Sequence, residues 1–176
     1  MGKSRYTCSE CGQEHDDWPA IAWSSPSHYA SLSEEDKENM AQLSSDFCTI
    51  FHESQTDRFI RCCLDQKVVD HDQPLEYGVW VSLSERNYAD YYDHFDDTDY
   101  EATYFGWLCS DIPEYGNTLS IPLNVIVRPN GSRPVVVPHE DHDHDFVRDF
   151  YNGISLEEAI KRIHVTISAI ANRGGK

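Results

Sequence analysis

The sequence predicts an α+β fold in one domain, with an antiparallel sheet and helices packed on one side. Three observations predict it. The length of 176 residues suits one domain with a core of its own. The β-rich runs follow one another with few crossover helices between them, which favours antiparallel neighbours. The chain closes on Ala159, Ile160, Ile163, Ile167 and Ile170, an apolar stripe at helical spacing.

The elements follow in order. Tyr6 to His15 reads as a short hairpin-like hook, residues 1–18 forming an N-terminal subelement of the domain. Residues 19–31 read as an irregular segment anchored by Trp18, Trp23 and Tyr29. Ser33 offers an N-cap, with Glu34, Glu35 and Asp36 in the first turn of a helix to about Leu43. Asp46–Phe51, Arg58–Leu64 and Tyr77–Leu83 are rich in β-branched and aromatic residues and read as strands. Ser84 caps a helix from Glu85 to about Phe95, and Tyr104–Cys109 reads as a buried strand. Ile121–Arg128 and Pro134–Val137 are strands joined by the turn Pro129-Asn130-Gly131-Ser132. Ser155 and Glu158 form a capping box before the final helix, which Gly174 and Gly175 end.

Charge narrows the function. Fourteen Lys and Arg stand against thirty-one Asp and Glu, a net charge of −17. Such a field repels phosphate backbones, so nucleic-acid and anionic-membrane partners are disfavoured and a basic protein partner is favoured. No Lys or Arg occurs between Arg86 and Arg128, a gap that holds Asp90, Asp93, Asp96, Asp97, Asp99, Glu101, Asp111 and Glu114. Charge of one sign at that density marks an acidic docking face or a cation site. The opening MGKSRYTCSEC lacks an apolar signal core, Tyr6 breaks the myristoylation pattern, and no apolar run reaches membrane-spanning length. The expected location is the cytoplasm, where six cysteines act as thiols or metal ligands rather than disulfides.

The most specific motif is Cys8-Ser9-Glu10-Cys11-Gly12. Two cysteines at this spacing point both thiolates at one ion, and the glycine permits the bend that turns backbone N–H groups toward the sulfurs. Structural zinc needs four ligands. His15 is the candidate third and Cys48 the candidate fourth, with His52, Cys62, Cys63 and Cys109 as competitors. A redox pair would need a βαβ setting, which the hook lacks. Cys62 and Cys63 are adjacent on one strand and point to opposite faces, so they do not readily share an ion.

A second cluster spans residues 139–145, where His139, His142 and His144 alternate with Glu140, Asp141, Asp143 and Asp145. Imidazoles and carboxylates suit zinc, nickel or manganese, and with Asp111 or Glu114 they would suit a metal-dependent hydrolase. The spacing matches no known catalytic signature. The plainer reading is a solvated loop in which an Asp caps the helix starting near Phe146. Trp80, Tyr104, Phe105 and Trp107 on neighbouring strands offer a third reading, an aromatic wall for a small ligand. No phosphate loop, nucleophile elbow or dinucleotide fingerprint occurs.

Several blocks occur together in order. Tyr6-Thr7-Cys8-Ser9-Glu10-Cys11-Gly12-Gln13-Glu14-His15 opens the series, followed by Tyr29, Leu32-Ser33-Glu34-Glu35, Ser45-Asp46-Phe47-Cys48 and Arg58-Phe59-Ile60-Arg61. Gly78-Val79-Trp80-Val81-Ser82-Leu83-Ser84, Tyr104-Phe105-Gly106-Trp107-Leu108, Asp143-His144 and Gly153-Ile154-Ser155-Leu156 complete it. The set resembles the bacterial family catalogued as domain of unknown function 2199. The resemblance implies a bacterial, cytoplasmic, single-domain protein and counts Cys8, Cys11, His15, Cys48 and His144 as motif positions. It carries no activity. With the catalytic motifs missing, the expected function is a non-catalytic binding protein stapled by zinc, in the way that acidic immunity proteins neutralise basic partners.

Overall fold

The structure is a computed structural model that describes residues 18–173, together with the backbone of Tyr6–Thr7 and Glu14–His15. Strand β1 (Tyr6–Thr7) pairs antiparallel with β2 (Glu14–His15). The main sheet contains β3 (Ile21–Ala22), β4 (Ala41–Leu43), β5 (Phe47–Phe51), β6 (Thr56–Gln66), β7 (Leu75–Ser82), β8 (Ala102–Leu108), β9 (Pro122–Val127) and β10 (Val135–Pro138). The helices are α1 (Ser27–Ala30), α2 (Glu34–Met40), α3 (Glu85–Asp93), α4 (Asp145–Asn152) and α5 (Leu156–Arg173).

The α+β class holds and most strand pairs are antiparallel, but the sheet closes on itself and its helices do not all lie on one side. Strands β6 to β10 close into a five-stranded barrel in the order β6-β7-β8-β9-β10 and back to β6. The closing pair is parallel, with Val135 opposite Cys63 and the Cys63 N–H donating to Pro134 O at 2.8 Å. The eleven-residue β6 makes closure feasible. One of its edges pairs with β7 from Phe59 to Gln66, while the other is shared, Thr56–Ile60 with β5 and Cys63 with β10. Strand β7 divides likewise, taking β3 at Tyr77–Gly78 and β8 at Val81–Ser82.

Burial follows the period of two. Ile60, Cys62, Leu64, Val79, Val81, Leu108, Leu123, Val125 and Val136 fill the barrel, joined by Phe146 and Val147 of α4 and Ala159 and Ile163 of α5. Cys48, Ile50, Phe59, Trp80 and Cys109 form a second cluster, against which Tyr29, Leu32, Met40 and Ala41 pack. The two clusters put helical segments on both faces of the sheet, because the residues of β6 and β7 alternate between two buried environments. Helix α2 also stops earlier than predicted. Ala41–Leu43 leave the helix to pair with Ile50, Thr49 and Cys48 of β5, which satisfies their backbone groups in the ladder instead.

Candidate functional site

The metal-ligand candidates divide sharply. Cys8 and Cys11 lie outside the described residues, and of His15 only the backbone pairing with Tyr6 is described. Cys48 is packed in the second cluster, where burial pushes its thiol up to about 12. Burial also pushes Cys109 up to about 11 and raises Cys62 well above the usual thiol range. Cys63 is half-buried and its thiol is raised chiefly by burial. His52 is engaged with Asp57, Nε2 to Oδ2 at 2.9 Å. Among the described residues no group of three or more His, Cys, Asp or Glu converges to hold a metal ion.

The 139–145 loop is held by its own histidines. His144 caps α4, its Nδ1 accepting the Phe146 N–H at 3.1 Å, while its Nε2–H donates to Asn117 O at 2.9 Å. A histidine therefore takes the capping place expected of an aspartate, and both of its nitrogens are occupied. His139 Nε2 lies 3.1 Å from Asn124 Oδ1, with its ring edge-on to Phe105. His142 and His144 stack at 6.3 Å between centroids. Asp143 and Asp145 both pair with Arg148. Asp111 and Glu114 are exposed, Glu114 in a short turn of 3₁₀ helix, Pro113–Tyr115.

The four aromatics read as a ligand wall fall in different surroundings. Trp80 is fully buried in the second cluster and donates Nε1–H to Trp23 O at 2.9 Å. Tyr104 faces the barrel core, whereas Phe105 and Trp107 are exposed and meet edge-on at 4.9 Å.

The acidic gap is organised around Asp90. Tyr100 and Tyr104 donate their hydroxyls to its Oδ2 at 2.5 and 2.7 Å, and these bonds hold the carboxyl below its ordinary value. His94 Nδ1–H donates to the Asp90 carbonyl at 2.8 Å and stacks on Tyr100 at 4.0 Å. The loop after α3, with Asp96, Asp97, Asp99 and Glu101, is thereby tied back to the helix and to β8.

Beside this loop runs a groove that sequence reasoning missed. It has a volume of about 410 Å³ and is lined by Gln42, Leu43 and Ser44 at one rim, Phe47 and Thr49 on its floor, and Tyr88, Tyr92, Phe95 and Asp96 at the other. Phe47 meets the rings of Tyr88, Tyr91, Tyr92 and Phe95 at 4.9 to 5.8 Å. Tyr92 is 59% exposed and Phe95 39%. The i, i+4 spacing of Tyr88 and Tyr92 was the available signal, together with the i, i+3 step from Tyr92 to Phe95. Only the fold shows that Phe47 and the β4 edge face them.

A second unforeseen feature is buried. Arg162 of α5 is 3% exposed. Its Nε–H donates to Glu158 Oε1 at 2.9 Å and Nη1–H to the Tyr77 hydroxyl at 3.2 Å, with its guanidinium over the Tyr115 ring. Burial opposes its charge, but Tyr77, Glu158 and Tyr115 outweigh that and raise its pKa. Glu158 thus turns to Arg162 rather than back to the helix start, so only the Ser155 half of the capping box forms. The Tyr115 hydroxyl donates to Asp149 at 2.7 Å, and Gln66 Nε2 to the Asp149 carbonyl at 2.7 Å. This network joins α4 and α5 to the barrel. No described helix is long and apolar enough to cross a membrane.

Searches of curated proteins and of solved structures gave no match. A family model does match, over residues 7–154, which takes in the barrel, the acidic loop, the groove and α4. By that match over most of its length, the chain belongs to the family described as uncharacterised protein conserved in bacteria (DUF2199).

Proposed function

We propose that this protein is a non-catalytic binding protein whose acidic, aromatic face takes a basic protein partner. The observation that carries the reading is the groove between α3 and the β4–β5 edge. Its rings are open to solvent, Asp96 stands at its rim, and no Lys or Arg lines it. Aromatic faces attract guanidinium and ammonium groups, and the carboxylates of the adjoining loop strengthen the attraction. Complementary charge speeds encounter and makes it salt-dependent. A photo-reactive amino acid at Tyr92 should capture basic proteins in living cells, and one at the equally exposed Val165 should not. Equal capture at both positions, or none at Tyr92, rejects the reading.

We also propose that Cys8, Cys11 and His15, with Cys48 as fourth ligand, hold one structural zinc in the cytoplasm. The C-x-x-C-G spacing and the histidine at C-x₃-H support it. Cys48 would have to ionise at a sulfur now packed among apolar side chains, so it is the ligand most in need of a test. Protein purified without a tag should carry about one zinc per chain, lost in a Cys8→Ser/Cys11→Ser variant. Retention of zinc in that double variant overturns the staple, and retention in Cys48→Ala removes Cys48 from the ligand set.

A further inference from the structure

We infer that the groove beside α3 receives an extended segment added as a further strand along β4, with basic side chains at every second position. The inference rests on the reading that the acidic face takes a basic partner, and names where and how.

Strand β4 ends the sheet order among the described strands, so the peptide groups on its outer side have no strand partner there. An open edge of this kind pairs with an extended chain through main-chain hydrogen bonds. The edge also forms one rim of the groove, through Gln42 and Leu43. Side-chain direction alternates along β5. Cys48 and Ile50 are buried in the second cluster, while Phe47 and Thr49 face the groove. A strand laid beside β4 continues the same pleat, so every second side chain would project beside Gln42 on the groove face, where a long side chain can reach across toward Phe47, Tyr92 and Asp96. Those positions suit arginine or lysine, whose stems cover the rings and whose charges reach the carboxylates of Asp96 and the loop beyond it. Gln42, which pairs with Thr49 on the groove face, is exposed, and Tyr92 is 59% exposed, so the groove is open from both rims.

The test uses the full chain and a fluorescent peptide of alternating Arg and Val, read by anisotropy at low salt. Two further peptides serve as comparisons, one with prolines in place of alternate valines and one with Glu in place of Arg. The Arg–Val peptide should bind about tenfold more tightly than its proline version, which lacks N–H donors at the substituted positions, and the Glu–Val peptide should not bind. Tyr92→Arg, a change at an exposed position, should weaken binding about tenfold, and backbone amide shifts should appear at residues 41–44. Equal affinity for the plain and proline peptides, or an unchanged affinity in Tyr92→Arg, overturns strand addition. Salt-sensitive binding with amide shifts confined to residues 93–101 rejects the groove but leaves the acidic-face reading standing. Failure of every basic peptide to bind at low salt rejects both.

Discussion

His144 uses both ring nitrogens on the backbone, one to accept from the first turn of α4 and one to reach across to Asn117. A cap needs an acceptor placed before an amide that has no partner within its helix, and a neutral imidazole supplies it as an aspartate would. His144→Ala should therefore cost about 1 kcal/mol in urea unfolding, with His144→Asn recovering most of the loss. A destabilisation of equal size in both variants would show that the cap is not what matters. Gly106 acts through absence. A Cβ there would come 2.5 Å from Val81 Cγ1 and 3.0 Å from the Ser82 carbonyl of β7. Gly106→Ala should destabilise the fold by about 2 kcal/mol, and an unchanged thermal midpoint would contradict that contact.

At the scale of elements, α3 is held by the two tyrosines that converge on Asp90. The pKa of this carboxyl is lowered from 3.8, so folding favours its ionised form. The resulting stability is present above 3.8 and is lost as the pH falls through the lower folded value. Asp90→Asn should be less stable than the native chain at neutral pH, and the gap should close in acid. Urea unfolding of both proteins across that range measures it, and a gap independent of pH would mean that the carboxylate contributes nothing through its charge. The same two tyrosines tie the acidic loop to β8, which keeps Asp96 at the rim of the groove. The local stability of α3 and the shape of the proposed docking face are therefore linked.

For the molecule as a whole, closure of the barrel divides the thiols into classes. Cys62 is sealed in the barrel core, and Cys48 and Cys109 in the second cluster; burial raises all three thiols. Cys63, its side chain on the outside of β6, is half-buried. A thiolate is the reactive form, so alkylation of the native protein at mildly alkaline pH should modify Cys63 well before these three. Mass spectrometry of labelled peptides measures this, and early modification of Cys62 would mean that the barrel opens readily.

Much of the local structure was legible. Ser33, Ser84 and Ser155 accept backbone N–H groups at the three predicted helix starts, at 3.1, 3.3 and 3.1 Å. The Pro129–Ser132 turn joins β9 to β10 with Asn130 and Gly131 at φ 78° and 66°. Caps, turns and strand periods involve neighbours a few residues apart, so the chain carries them in readable form. The excess of carboxylates and the stretch without a single cation are likewise plain from the residues alone. The pairing of Cys63 with Val135, the barrel it closes, the burial of Arg162 and the meeting of Phe47 with the rings of α3 emerge only when the chain is folded. Each joins residues dozens of positions apart, and contacts at that range depend on how whole elements pack rather than on any pattern along the chain.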